Sequence, residues 1–346
     1  MPLANQPADP TCLGRVAGGR SPCLIPYARP WLSYQQQLDQ LIERGITVTD
    51  RDAALSYLER IGYYRLSGYW YPFRRFEPPA EWESKRETRA TDQFCPDTHL
   101  LDAVELYLFD KKLRLLVVDA LERIEVALRV DLAYLLGKRN TFAHLDRSYF
   151  HPSFIRQPVF RGSHQTRFEA WMEKYRGLVK RSKEDFVRHY HQRHGEELPI
   201  WVAVEVFDFG AISQLIGMMK VSDQQHIASK YGLDWQVFAS WIYGLSYLRN
   251  ICAHHSRLWN RNVTTQVKLP KPREVQWCDF LARDDERLAK PFVLLAITRH
   301  LLKVICPNTQ WHLRLRDHLL TFPTQKSVRK LGLVNMGYIE NWLEWW

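Results

Sequence analysis

The sequence predicts an all-α protein. Apolar residues recur at helical spacing in several long segments, no convincing series of alternating residues indicates β-strands, and no internal repeat is present. The 346 residues are 46% hydrophobic and 25% charged, a composition typical of globular proteins. A chain of this length buries enough apolar surface to fold without disulfides or a structural metal.

The composition changes several times along the N-terminal part. Residues 1–26 are rich in proline, glycine and small residues and are predicted to form a disordered extension. A helical region is expected over 27–76, with one helix from Ser33 and a second capped by Asp50. Residues 77–97 hold two adjacent prolines and many charges, which indicates a charged loop.

The longest helical pattern runs from Thr98 to Gly137 and carries a broad apolar stripe with the period of an α-helix. Its Glu125 and Arg129, four residues apart, are interpreted as a solvated salt bridge. Further helices are expected over 223–230, from 234 past 257, over 285–305 and over 309–320. The segments therefore predict a main helical domain over 98–306, with a basic insertion at 140–197, and a C-terminal helical extension at 307–346.

The insertion is strongly basic. Between 151 and 194 the chain has ten Lys and Arg residues, four Asp and Glu residues and five of the thirteen histidines. Lys180, Arg181 and Arg188 are therefore expected to contact an RNA backbone, although a merely solvated basic face is also compatible with this pattern. A metal at the histidines of 189–194 is the least favoured alternative, because no carboxylate or cysteine stands at ligand spacing.

Charge and motifs narrow the class of function. A formal net charge of +10 favours a polyanionic partner, most simply nucleic acid. The six cysteines include no Cys-x-x-Cys and are interpreted as reduced thiols, and neither a membrane span nor a signal peptide is recognisable, so a cytoplasmic protein is expected. Phosphate-binding loops, dinucleotide fingerprints, zinc-protease motifs and hydrolase elbows are missing, and no cofactor is expected.

One segment has the residues for RNA cleavage. No acidic residue lies between Asp234 and Glu274, and this stretch contains His254 and His255 among several arginines. Histidine titrates near neutral pH, so it can accept the 2′-OH proton or supply one to the leaving 5′-oxygen. The guanidinium of Arg249 can hold the phosphate and stabilise its developing charge. This chemistry requires no metal.

Helical geometry qualifies this site. On a continuous helix Asn250, His254, Arg257 and Arg261 share one face, whereas Arg249 lies about 140° from His254. Three solutions remain open: the arginine side chain reaches round the helix, the helix bends, or a second subunit completes the site. Surface arginines around a histidine that caps local backbone are the non-functional alternative.

Four blocks of sequence carry a family resemblance. The chain is similar to the Abi-like family of abortive-infection proteins (the AbiD/AbiF type), which carry a HEPN domain. The resemblance covers about residues 29–320 and lies in YLERIGYYRLSGYWYPF (57–73), ELYLFDKKLRLLVVDALERIEVALR (105–129), LPIWVAVEVFDFGAISQLI (198–216) and GLSYLRNICAHHSRLWNR (244–261).

The resemblance implies a HEPN-type helical bundle and a metal-independent endoribonuclease that acts as a toxin in antiphage defence. HEPN ribonucleases carry an Arg-x4–6-His motif, which Arg249, Asn250 and His254 fit. His255 fits the wider spacing, so the choice between the two histidines stays open, with His254 favoured. The resemblance also implies a homodimer that brings two motifs together, and a regulatory non-coding RNA as a further partner.

The sequence leads to a hypothesis for each residue. His254 acts as general acid or base, Arg249 binds the scissile phosphate, and Asn250 orients the histidine or contacts the 2′-OH. His255, Arg257 and Arg261 are expected to hold flanking RNA. The runner-up is a non-catalytic protein that binds a structured RNA through the same basic surface, and a third alternative is a partner for a nucleotidyltransferase.

Overall fold

A computed structural model describes residues 28–77, 89–281, 284–338 and 341–346. The described residues are mostly helical, which confirms the predicted all-α class. The extension predicted for 1–26 lies outside them. The N-terminal elements are α1 (Tyr34–Glu43), α2 (Arg51–Ile61), α3 (Tyr63–Trp70), β1 (Arg74–Glu77), β2 (Arg89–Phe94) and α4 (Leu100–Gly137).

The N-cap predicted at Asp50 is confirmed, and Ser33, from which the first helix was expected, is the N-cap of α1. The side chain of Ser33 accepts a hydrogen bond from the amide of Gln36, and that of Asp50 accepts one from Ala53. Each bond satisfies an amide that the helix itself leaves unpaired, which fixes where α1 and α2 begin.

The loop predicted for 77–97 is in part wrong. Strands β1 and β2 form an antiparallel hairpin in which Arg74 pairs with Phe94 and Phe76 with Ala90, while residues 78–88 lie outside the described part. The buried Phe94 ring ties the hairpin to the core. Four and six residues are too few for alternation to stand out in a sequence, which is why these strands were not expected.

Helix α4 is the centre of the fold. It is 38 residues long, and helices α3, α9 (Phe209–Met218), α11 (Trp235–Ala253), α14 (Pro291–Ile305) and α15 (Trp311–Leu320) pack on it. Its buried apolar side chains follow the predicted stripe and include Leu106, Leu113, Val117, Leu121, Ile124 and Leu128.

The remaining helices are short or belong to the insertion. They are α5 (Pro152–Arg156), α6 (Arg167–Arg181), α7 (Asp185–His194), α8 (Ile200–Ala203), α10 (Val221–Lys230), α12 (Gln276–Asp279), α13 (Asp285–Leu288) and α16 (Trp342–Trp345). The single helix predicted over 285–305 is wrong, because α14 starts anew at Pro291, which has no amide to continue α13. In the described part of the chain, no helix is both long and apolar enough to cross a membrane.

Candidate active site

The candidate residues lie at the C-terminal end of α11. This helix ends at Ala253, with His254 as its C-cap. His255 follows in the left-handed conformation, with φ at +54°, and its amide donates to the carbonyl of Cys252 while the amide of Ser256 donates to that of Ile251. These two bonds define a Schellman motif, in which histidine occupies the position that usually holds glycine.

The end of α11 changes the predicted geometry. The expectation that Asn250, His254, Arg257 and Arg261 share one helix face is wrong, because the backbone leaves the helix after Ala253. The side chains of Asn250, His254 and His255 are exposed. The positive φ of His255 strains the backbone, because a side chain disfavours this conformation. Such strain is often found at functional sites.

The guanidinium of Arg249 lies against α4. Its Nε is 3.8 Å from Oε2 of Glu125, and its Nη1 is 3.5 Å from the side-chain oxygen of Asn250. No described residue accepts a hydrogen bond from its Nη2, and the side chain remains about a third exposed. Arg249 is thus held on one side and open to a ligand on the other.

The interpretation of Glu125 as a solvated salt bridge is wrong. Its relative exposure is 8%, and Oε1 accepts a hydrogen bond of 2.7 Å from Arg129, which also donates to the carbonyl of Phe207. Burial raises the pKa of the Glu125 carboxyl, and the positive charges of Arg129 and Arg249 offset only part of that effect. Glu125 is therefore a buried carboxyl group between two arginines.

Two further charged residues, Asp208 and Lys174, lie next to Glu125 and Arg249. Asp208 caps α9 by accepting from the amide of Ala211 at 2.6 Å, and it pairs with Lys174 of α6 at 2.9 Å. Burial would raise the pKa of Asp208, but Lys174, the amide of Ala211 and Arg249 together lower it. A side chain at Gly210 would lie 2.9 Å from Nζ of Lys174 and 3.7 Å from Oγ of Ser246.

Sequence reasoning missed Asp208 and Lys174 as neighbours of the site. The signal that could have found Asp208 is an acidic residue inside an otherwise apolar stretch, since an interior charge needs a partner. Lys174 comes from the insertion, and nothing in the local sequence places it beside α11.

The segment that follows the site is anchored from α4. Asp110 is fully buried and accepts hydrogen bonds from the amides of Leu258 and Trp259, from the hydroxyl of Tyr69 and from Arg114. A carboxylate that receives this many donors fixes the position of the chain on either side of it. Arg65 adds a hydrogen bond of 2.8 Å to the carbonyl of His255.

A family model matches residues 56–260 and is described as Abi-like protein. The matched range is well over half of the chain. The chain belongs to the Abi-like family. The match includes α4, α9 and α11 with Glu125, Asp208 and Arg249, and it ends before Arg261. No curated protein and no solved structure matches the chain.

Two other predicted RNA contacts of this Abi-like protein, Arg257 and Arg261, have hydrogen-bond partners within the protein. Arg257 turns inward, with its guanidinium bonded to the carbonyl of Gly68, and burial lowers its pKa. Arg261 donates to the hydroxyl of Tyr247 at 3.0 Å and lies over that ring. Both arginines border the site, but each already has a partner within the protein.

The basic insertion of the Abi-like protein contains a separate groove. Lys180 and Arg188 line a cavity of about 1140 Å³ between α6 and α7, whereas Arg181 donates to the carbonyl of Gly177. The histidines of 189–194 lie on the exposed helix α7. Among the described residues, no three His, Cys, Asp or Glu side chains are grouped to hold a metal ion.

Proposed function

We propose that this chain is an endoribonuclease of the HEPN type that acts as a toxin in antiphage defence. Membership of the Abi-like family links it to abortive infection. The observation that carries the more specific proposal is that a partly free guanidinium, that of Arg249, and the exposed His254 lie five residues apart at the end of one helix. A cation to hold a phosphate and a group that titrates near neutral pH are what RNA cleavage needs.

The proposed reaction uses the substrate's own 2′-OH. Its proton passes to a histidine base, the 2′-oxygen bonds to the adjacent phosphorus, and the bond from phosphorus to the 5′-oxygen breaks. The 5′-oxygen takes a proton from a histidine acid, which leaves a 5′-OH end and a 2′,3′-cyclic phosphate, and water then hydrolyses the cyclic phosphate to a 3′-phosphate. His254 transfers a proton, Arg249 stabilises the charge on the phosphate, and Asn250 contacts the 2′-OH or orients the histidine.

We propose that the active form is a homodimer, because one histidine cannot easily serve as base and acid at once. The exposed side of α4 supports a second copy as the partner. Leu108, Leu115, Val126 and Val130 are all exposed there and lie within roughly 60° of one another at 100° per residue. Val126 and Val130 directly follow Glu125 and Arg129, so contact across this face would bring two Arg249 sites close together.

Cleavage of labelled total RNA by purified protein in EDTA tests the proposal. We expect Arg249→Ala and His254→Ala to lose cleavage by about 100-fold or more, the range of a positioned acid–base group or charge stabiliser. Arg60→Ala and His226→Ala serve as matched controls, since both residues are exposed and lie outside the site. Equal cleavage by the His254→Ala variant and the wild type would contradict the proposal.

The second candidate is a non-catalytic protein that holds a structured RNA, including a regulatory non-coding RNA. The groove that Lys180 and Arg188 line favours it, because basic side chains can bind a phosphate backbone without cutting it. Both functions predict RNA binding that weakens with salt. The two functions can be distinguished after copurified RNA has been removed. An enzyme then cuts added RNA, whereas a binding protein only retains it.

A further inference from the structure

A buried arginine lies far along the sequence from the site described above. Arg299 of α14 has a relative exposure of 7%, and its Nε has no hydrogen-bond partner. Among the described residues no carboxylate pairs with it, and burial lowers its pKa. An unpaired charge inside a protein lowers the free energy of unfolding, so the buried guanidinium of Arg299 destabilises the fold unless an anion pairs with it.

Further cations lie beside Arg299. Lys303 is four residues on and therefore on the same face of α14. His312, in the first turn of α15, is linked to this face because its carbonyl accepts from Nε1 of Trp346 at 2.8 Å, and the Trp346 ring centre is 5.5 Å from Cζ of Arg299. Arg299 lowers the pKa of both Lys303 and His312, after the larger effect of burial.

The surroundings complete a site for an anion. The side chain of Gln310 does not cap α15, and Thr309 accepts only from the amide of Trp311, so the next amides of the first turn and its positive dipole are available beside His312. The ring of Trp345 lies 6.0 Å from Cζ of Arg299, and with Trp346 it forms an aromatic wall. Arg316, one turn after His312, is already paired with Asp317 at 2.7 Å.

We propose that Arg299, Lys303 and His312 form a binding site for a phosphate group, walled by Trp345 and Trp346. Guanidinium, ammonium and helix amides together match the several acceptor oxygens of a phosphate. The group could belong to the end of an RNA strand or to free phosphate, and both supply the same chemistry. The site is independent of the proposed cleavage, since it does not include Arg249, Asn250 or His254.

Thermal unfolding of the full chain with inorganic phosphate, against chloride at equal ionic strength, tests the site. We expect saturating phosphate to raise the Tm of the wild type by about 5 °C, because a ligand that binds only the folded state stabilises it. In Lys303→Met and Arg299→Met the apparent Kd for phosphate should rise at least about tenfold. Arg314→Met is the control, since Arg314 lies on α15 with His312 but pairs with Asp119 at 2.7 Å.

Two outcomes would overturn the proposal: no phosphate-dependent shift in the wild type, or an equal shift in Lys303→Met, whose exposed side chain is not needed for folding. A second measurement identifies the source of the phosphate. Tighter binding of a 5′-phosphorylated than of a 5′-hydroxyl oligoribonucleotide, lost in Lys303→Met, would indicate an RNA end. Equal binding of the two, together with the phosphate shift, would indicate free phosphate.

Discussion

Two acid–arginine pairs on the same helix, fifteen residues apart, have different roles. Asp110 and Arg114 are buried, and all the partners of Asp110 are donors from the protein itself. Glu125 and Arg129 have the same spacing, but the second oxygen of Glu125 is directed at Arg249 rather than at the backbone. From the sequence alone, both are i,i+4 pairs and are predicted to be equivalent.

The difference shows that α4 contacts the candidate site through two residues, Asp110 and Glu125. Asp110 fixes the backbone just after the histidines, so it determines where the chain goes once α11 has ended. Glu125 contacts the guanidinium of Arg249, so it determines where a phosphate could be held. The first pair should therefore matter most for folding and the second most for the proposed chemistry.

Removing Asp110 should have the largest effect. Asp110→Ala leaves Arg114 buried without an anionic partner, with only the Tyr69 hydroxyl to accept from it, and removes the acceptor of two backbone amides. We expect the free energy of unfolding to fall by about 3–5 kcal/mol, measured by urea denaturation. Asp119→Ala is the control, since Asp119 is about a third exposed and pairs with Arg123 and Arg314 at the surface, so its loss should cost about 0–1 kcal/mol. Equal losses in the two variants would contradict a special role for Asp110.

Glu125→Gln should separate folding from activity. The amide keeps an acceptor for Arg129 but removes the charge that faces Arg249, so we expect kcat/KM for RNA cleavage to fall by about 10- to 100-fold. The Tm should stay close to that of the wild type. If cleavage and Tm fell together, Glu125 would be a structural residue like Asp110.

Glu125 should also leave a signature in the pH dependence of stability. Because its pKa is raised in the folded protein, the proton binds the folded state more tightly than the unfolded one. The stabilisation linked to this proton is complete below the unfolded pKa and is lost as the pH rises through the folded value. The wild type should therefore lose stability relative to Glu125→Gln as the pH rises from about 4.5, and a constant difference would contradict this reasoning.

His255→Gly should sharpen the assignment of the two histidines. Glycine accepts the positive φ at this position without strain, so we expect the variant to be as stable as the wild type or more stable by about 1 kcal/mol in thermal unfolding. The carbonyl that binds Arg65 is retained. Cleavage should persist in this variant. Loss of cleavage with an intact fold would assign the chemistry to His255 instead.

The groove in the insertion should affect affinity rather than rate. Replacing Lys180 and Arg188 by Ala should make the slope of log Kobs against log salt shallower by about 1.4 for single-stranded RNA, with the maximal cleavage rate unchanged. Arg181→Ala is the matched control, because Arg181 does not line the groove. An unchanged slope in the double variant would place the RNA elsewhere.

The sequence predicted best what depends on neighbouring residues. The start of the first helix at Ser33, the cap at Asp50 and the apolar stripe of α4 were predicted correctly because each depends on residues within one or two helical turns. The end of α11 was missed because His255, rather than glycine, adopts the left-handed conformation there. The burial of Glu125 could not be found, since it depends on α9 and α11, which lie about one hundred residues away in the chain.

The most direct test of the central claim compares two RNA substrates, one with a single 2′-deoxy nucleotide at the cleavage position. The wild type in EDTA should cut the all-RNA strand to a 5′-OH end and a cyclic or 3′-phosphate end, and leave the 2′-deoxy strand intact. His254→Ala should cut neither. Cleavage of the 2′-deoxy strand, or 5′-phosphate ends from the all-RNA strand, would contradict attack by the 2′-OH and with it the role given to Arg249 and His254.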